Sequence, residues 1–334
     1  MNSVFRVLAA LLACALVSCA HVPAMQPKPM LGKNTWRSYD GKEMPWRPHD
    51  VPAGTPLRAV LITLHGLSGA ASDFWMLDES LPRRGMAVYG VELRGMGNDP
   101  DKGRRGDIRS FGIWERDLFT FQSLVRARHP GVPIYWHGES LGSLIALHTQ
   151  SDLMTSSKQA RELRPAGLIF SSPLAGLKTK PSLLRRVVIR AAMILLPERL
   201  VNLEKLVGVR DEDIRVTVGT THEAQMTVTP HHVPEFTLRL LWQIDGKMSR
   251  IPSALRHVDQ PLLVLATPND VISSRAQLQE FFDSVPSEAK TLHWYEKSYH
   301  LILHDVQRDE ALRDVTGWLE AQVAGKRLAS GVRP

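Results

Sequence analysis

Gly138-Glu139-Ser140-Leu141-Gly142 sets one serine between two glycines, where an apolar run meets a helix-forming one. Val132-Pro133-Ile134-Tyr135-Trp136-His137 stands before it, and Ser143-Leu144-Ile145-Ala146-Leu147-His148 follows. Strand, G-x-S-x-G and helix in that order turn the chain so sharply that the serine is forced into a strained backbone conformation, its hydroxyl clear of the sheet. A serine oxygen that must reach a carbonyl carbon needs this arrangement. Ser140 therefore reads as a nucleophile. An ordinary strand–turn–helix junction would use the same residue types, but the flanking pattern fits the nucleophile on both sides.

A serine hydroxyl is a poor nucleophile until a base takes its proton, and the base needs an acid to hold its tautomer. Where a strand-to-helix turn carries the serine, the chain order is Ser, then Asp or Glu, then His. Asp270, in Thr267-Pro268-Asn269-Asp270 after the run Pro261 to Ala266, is the expected acid; its plain alternative is a helix-capping aspartate. Asp259 precedes that strand and Asp245 lies in another segment. His300 is the expected base, in the loop Lys297-Ser298-Tyr299-His300 behind the last strand, Thr291 to Tyr295. His293 falls within that strand and His304 in the final helix. The His300/His304 spacing has no intervening Glu and there is no H-E-x-x-H, so no metal is expected. The oxyanion of the tetrahedral intermediate needs two amide donors. Leu141 N–H, directly after the nucleophile, is one. Leu67 N–H, in His65-Gly66-Leu67-Ser68-Gly69, is the other, with His65 as a structural hydrogen-bonding residue.

Elements that would carry these residues are visible as near-continuous apolar runs: Ala59 to Leu64, Ala87 to Leu93, Pro133 to Trp136, Ala166 to Phe170 and Pro261 to Ala266. Strands buried on both faces read this way. Helix-like segments lie between them, at Ser110 to Ala127, Leu141 to Gln150, Arg275 to Asp283 and Gln307 to Val323. The alternation predicts an α/β fold with a mostly parallel central sheet flanked by helices. Residues 173–258 break it. Ser182 to Leu196 is helix-like, largely apolar and stopped by Pro197, and a second helix is expected from Glu235 to Lys247. This insertion reads as a helical cap over the site, or as a peripheral helical subdomain. Asp40-Gly41 reads as a turn between two short strands, the second reaching Trp46.

The chain has 334 residues, 43% hydrophobic and 22% charged, enough for one large α/β domain with an insertion. Its net charge of +7 is scattered, with no long basic run, so nucleic acid is not an expected partner. Arg6 precedes a short apolar core, Val7 to Val17, too short to span a bilayer comfortably. It ends in Leu16-Val17-Ser18-Cys19, which resembles the lipobox of bacterial lipoproteins and implies lipidation of Cys19. The only cysteines are Cys14 and Cys19, so cleavage before Cys19 leaves no internal disulfide. Ala20 after the cysteine resembles the sorting pattern for the outer membrane, facing the periplasm. The expected organisation is a signal peptide (1–18), a lipidated Pro-containing tether (19–35), the first part of the core (36–172), the cap (173–258) and the second part of the core (259–325).

Asp40-Gly41 before Trp46, His65-Gly66-Leu67, Leu93-Arg94-Gly95-Met96-Gly97, Arg105-Gly106, Gly138 to Gly142, Asn269-Asp270 and Tyr299-His300 run in the order of a known family. The chain resembles the monoacylglycerol lipase and lysophospholipase branch of the α/β-hydrolase superfamily, which includes the serine aminopeptidase-type hydrolases. Glu92 and Met96 stand where the family usually has Asp and His around that Leu-Arg-Gly loop. The resemblance implies hydrolysis of a carboxylic ester, usually of a single-chain lipid such as a monoacylglycerol or lysophospholipid, without metal or organic cofactor. A small-ester esterase is an alternative. So is a peptidase, which would need an acid for a substrate amine (Glu198, Glu204, Asp211, Glu212 or Asp213), or a noncatalytic envelope protein binding lipid or a partner.

Overall fold

The computed structural model describes residues 27–178, 182–202, 215–221, 229, 231–325 and 331–333. The lipobox-like segment, Cys14, Cys19, Glu204 and Asp211 to Asp213 lie outside them. The apolar runs become strands. In chain order these are β1 (Met30–Leu31), β2 (Thr35–Arg37), β3 (Glu43–His49), β4 (Ala59–Leu64), β5 (Met86–Val91), β6 (Ile134–Glu139) and β7 (Gly167–Ser171). After the insertion come β10 (Leu262–Ala266), β11 (Lys290–Trp294) and β12 (Gly331–Arg333); β8 (Leu200–Val201) and β9 (Phe236–Thr237) lie within it. The 10-stranded sheet has the order β1-β2-β3-β5-β4-β6-β7-β10-β11-β12. From β5 to β12 every pairing is parallel; β1, β2 and β3 add an antiparallel edge.

The helices are α1 (Trp75–Ser80), α2 (Gly112–Arg128), α3 (Leu141–Thr155), α4 (Lys158–Glu162), α5 (Leu183–Leu195), α6 (Leu238–Met248), α7 (Ile251–Leu255), α8 (Arg275–Asp283) and α9 (Arg308–Val323). They cover both faces of the sheet, which is why its strands are apolar at consecutive positions. Val60, Ile62 and Leu64 of β4 pack with Phe121 of α2, Leu144 of α3 and Phe281 of α8 in one cluster. Ala59 and Leu61, one residue out of phase, pack with Leu77 of α1 and Val315 and Trp318 of α9 in the other.

Four expectations change. Met30–Leu31, expected in the tether, pairs with Trp36 and Arg37, so the folded part starts before residue 36. Phe236–Thr237, expected as helix, pairs with Leu200–Val201; Thr237 then caps α6, its hydroxyl accepting from Leu240 N–H. The insertion thus holds a two-stranded sheet besides its helices, because cross-strand pairing overrides local propensity. β11 is not the last strand: β12 continues the sheet with three residues, too few to show a pattern. His304 lies in a separate 3₁₀ turn, Ile302–His304, rather than in α9.

Candidate active site

The site is built on the C-terminal ends of neighbouring parallel strands. β6, β7, β10 and β11 lie side by side, and Ser140, Asp270 and His300 follow β6, β10 and β11. Ser140 has φ 50° and ψ −113°, a left-handed conformation that L residues rarely adopt. The turn that imposes it needs both glycines. A Cβ at Gly138 would lie 2.5 Å from the carbonyl carbon and oxygen of Gly142, and one at Gly142 would lie 2.0 Å from the carbonyl oxygen of Leu64. Strand β6 thus runs into α3 with backbone against backbone. Ser140 N–H donates to the Ser171 carbonyl at 3.0 Å, tying the elbow to the end of β7.

Asp270 and His300 come together although 30 residues separate them. Asp270 Oδ2 lies 2.7 Å from His300 Nδ1, while Oδ1 accepts from Ile272 N–H (2.7 Å) and Ser273 N–H (3.0 Å). The carboxylate is thereby oriented, and its bond holds the ring with Nδ1 as donor and Nε2 as the basic nitrogen. Burial disfavours charge on His300, but the charge and hydrogen bond of Asp270 outweigh it, and its pKa is raised above the ordinary value. The loop carrying the histidine is held from behind. Ser172 Oγ donates to the His300 carbonyl at 2.5 Å, Thr267 Oγ1 to the Ser298 carbonyl at 2.5 Å, and Asn269 Nδ2 to the carbonyls of Glu296 and Ser298.

On the other side of Ser140 lies the loop after β4. A Cβ on Gly66 would stand 3.3 Å from Ser140 Cβ, so this backbone is in contact with the elbow. Leu67 follows Gly66 in that loop. Leu141 opens α3, where the first amides lack an intrahelical acceptor. His65 is fully buried, with Nδ1 donating to the Gly66 carbonyl (2.9 Å) and Nε2 accepting from Leu93 N–H (3.1 Å). Both ring nitrogens are used in shaping the backbone. Glu92 accepts from the backbone and side-chain amides of Asn98, and Met96 is buried in the core, so the departures at these positions are accommodated by packing. His304 is half-buried beside Asp73, and burial lowers its pKa; Asp270 is bonded to His300, Ile272 and Ser273 instead.

Several residues at this site carried no signal as a motif. Ser172, after β7, has φ 44°, and Ser68, in the loop after β4, has φ 64°. With Ser140 these are the three non-glycine residues of positive φ among the described residues, and all three surround the site. Glu139 is buried next to Ser140, its pKa pushed up to about 8 by burial first and by the Asp73 charge second. Arg94 forms a fork with Asp117 (2.7 Å twice) and Asp40 (2.5 and 2.8 Å), which locks the loop after β5. Cavities of about 520 Å³ beside Trp75 and about 340 Å³ beside Arg126 lie elsewhere, so chemistry and not volume locates the site.

The insertion is hydrogen-bonded to the loops after β4, β10 and β11. Val233 N–H donates to Ser68 Oγ (2.8 Å), Lys178 N–H to the Ile272 carbonyl (2.6 Å), and Leu301 N–H to the Val216 carbonyl (2.9 Å). On α5, Val188 and Leu195 are exposed and Ala192 is half-buried. Glu198 is exposed and pairs with Arg239 at 3.4 Å.

Residues 55–307 match the model of the Hydrolase_4 family, described as serine aminopeptidase, S33. The chain belongs to this family: it is an enzyme of the α/β-hydrolase fold, and a carboxylic-ester hydrolase. It is similar to the monoglyceride lipase of Rattus norvegicus, 23% identical over 280 residues, or 82% of this chain and 86% of that protein. The phospholipase YtpA of Bacillus subtilis is 25% identical over 262 residues, 76% and 92% of the two chains. Among solved structures, a soluble variant of monoglyceride lipase from Saccharomyces cerevisiae, in complex with a substrate analog, superposes with a TM-score of 0.69 at 19% identity. That match covers 90% of this chain and 98% of the other.

Proposed function

We propose that the protein hydrolyses carboxylic esters of single-chain acyl lipids, monoacylglycerol or lysophospholipid, through an acyl-enzyme on Ser140. The observation that carries this reading is the 2.7 Å His300–Asp270 bond on strand ends flanking a serine held at φ 50°. In the proposed mechanism Ser140 Oγ attacks the ester carbonyl carbon as His300 Nε2 takes its proton. Asp270 stays ionised and stabilises the imidazolium. The carbonyl oxygen becomes an oxyanion, held by Leu67 N–H and Leu141 N–H. His300 then gives the proton to the departing alcohol oxygen, the C–O bond breaks, and the acyl group remains on Ser140. Water, deprotonated by His300, attacks the acyl carbon; as the C–Oγ bond breaks, His300 returns that proton to Ser140 Oγ and the fatty acid is released. No cofactor enters this sequence of steps.

The lipid part of the reading rests on two supports. The lipase and phospholipase relatives cover most of the chain. Helix α5 presents Leu184, Val187, Val188, Ile194 and Leu195 at its surface, an apolar supply suited to acyl chains. A fluorophosphonate probe tests the nucleophile: labelling of wild type and none of Ser140→Ala is expected, and equal labelling of both sinks the proposal. Turnover of a monoacylglycerol against an aminoacyl amide tests the substrate class, and preference for the amide would replace the lipase by a peptidase.

We further propose that Cys19 carries acyl chains that hold the enzyme at the outer membrane, on its periplasmic side. Residues 20–29 would reach about 30 Å if extended at ~3.1 Å per residue, leaving the site near lipid breakdown products. Stable attachment takes two chains, at about 0.8 kcal/mol per buried CH₂. Cys19→Ser with fractionation and N-terminal mass measurement checks this. Absence of lipid mass on wild type, with unchanged membrane binding of the variant, overturns it.

A further inference from the structure

We infer that Ser68 is a positioning residue that couples the insertion to the oxyanion hole, an inference that rests on the function proposed above. Ser68 is buried and is held at φ 64°, a conformation glycine adopts without strain. Its hydroxyl is fully used. It donates to the Val233 carbonyl at 3.0 Å, accepts from Val233 N–H at 2.8 Å, and offers its second lone pair to His232 Nδ1–H at 2.8 Å. One side chain of the core thus satisfies both backbone groups of a residue in the insertion, 165 positions away.

The two ends of this joint explain its consequence. On the core side, Ser68 follows Leu67 and lies inside the Gly66-to-Gly69 turn, closed by Gly69 N–H donating to the Gly66 carbonyl at 3.1 Å. That turn presses on Ser140 through Gly66. On the insertion side, Val233 is buried in the main core cluster, and the segment around it is pinned to the loop after β5. Arg105 Nη2 donates to the carbonyls of Gly97 (2.8 Å) and His231 (2.5 Å), and Thr237 N–H to the Gly106 carbonyl (2.8 Å). Residues 231–237 are therefore a fixed stay, joined to the Leu67 loop by the Ser68 hydroxyl and, just beyond that loop, to Asp73 by His231. A buried hydroxyl with all its partners specifies one geometry, and its removal leaves Val233 N–H and C=O unpaired. The stay then no longer sets the direction of Leu67 N–H. The effect falls on the transition state, because the oxyanion and not the ground-state carbonyl depends on that amide.

The test compares Ser68→Gly and Ser68→Ala with wild type. Alanine removes only the hydroxyl but keeps a Cβ at φ 64°; glycine loses the Cβ as well and accepts that φ without strain, so it keeps the proposal testable if the alanine variant fails to fold. Three quantities are measured: kcat and KM on an acetate ester, the same on a long-chain monoacylglycerol, and Ki of a trifluoromethyl ketone, whose adduct with Ser140 places an alkoxide in the oxyanion hole. We expect kcat to fall about 10- to 100-fold on both esters, Ki to rise by a similar factor, and KM to move less than about threefold. A wild-type kcat and Ki in Ser68→Gly overturns the inference, whatever happens to Tm. So does a loss confined to KM for the long-chain ester. Ser140→Ala, run alongside, separates the two readings: full turnover there removes the proposed mechanism, whereas loss there with a normal Ser68→Gly removes only the coupling.

Discussion

At the C-terminal rim of the sheet Leu64, Leu141 and Leu265 are no more than 1% exposed, whereas Leu184 and Leu195 of α5 are each 75% exposed. The rim spends its apolar residues on packing, and three serines there hold left-handed backbones that only over-determined surroundings maintain. The insertion buries Val233, Phe236, Leu240 and Leu241 in the core cluster, but leaves Leu184, Val187, Val188, Ile194 and Leu195 of α5 at the surface, and it joins the rim by both backbone and side-chain hydrogen bonds. Rigid packing suits a constellation that must hold catalytic atoms to fractions of an ångström. An exposed apolar helix suits contact with something that is itself apolar.

The contrast is sharpest where a rim residue is removed. Ser140→Ala and His300→Ala should each lower kcat by ~10⁴ or more, and the double variant should be little worse, since the two act as a unit. Single-turnover assays would expose any independence between them. Asp270→Asn should reduce kcat by about 10²–10⁴, because an amide favours the wrong imidazole tautomer. The pH profile adds a sign. Asp270 raises the pKa of His300, so in wild type the acid limb of kcat/KM should lie above the ordinary imidazole value of about 6.5, and it should shift down in the variant. An unshifted limb would detach the aspartate from the base.

Glycine substitutions compare the two regions directly. Gly142→Ala puts a Cβ 2.0 Å from the Leu64 carbonyl oxygen, and a loss of about 3 kcal/mol or more in urea titration is expected. Gly246→Ala, in α6 of the insertion, meets nothing within 4 Å and should gain about 0.5–1 kcal/mol. A smaller difference should appear at Glu139. Its folded pKa lies above the unfolded value, so the folded state binds more protons between the two, and stability must fall as pH rises through that window towards about 8. Glu139→Gln should flatten this decline in melting curves taken from about pH 5 to about pH 9, and an equally steep decline would place the titrating group elsewhere. Smallest of all, Leu195→Asp should leave stability within about 0.5 kcal/mol, as for other exposed positions. It should nevertheless raise KM for a long-chain ester far more than for an acetate ester; an equal change for both would make α5 a structural element only.

Much of the fold was legible because doubly covered strands have a plain signature. Ala59 to Leu64 is apolar except for Thr63, Pro261 to Ala266 is apolar throughout, and α8 runs over the expected Arg275–Asp283. What escaped was short or context-made. β12 has three residues, and Phe236–Thr237 became a strand only because Leu200–Val201 lies opposite. His304 left the final helix for a 3₁₀ turn that packs Ile302 and Leu303 against the sheet. Ser68, Ser172 and Glu139 look like ordinary loop and strand residues in the sequence, since nothing local marks a positive φ or a partner more than a hundred positions away.

By itself, then, the sequence determined the order of strands and helices, the elbow around Ser140, and which acid and histidine would follow which strand. These depend on local periodicity, on glycines at a sharp turn, and on chain order, all of which are written in consecutive residues. Only the tertiary structure decided that Asp270 and His300 meet at 2.7 Å, that Gly66 touches Ser140, and that Ser68 grips Val233. These are contacts between strand ends and an insertion. The parallel sheet creates them by bringing the C-terminal ends of non-consecutive strands side by side, where side chains distant in sequence share one small volume.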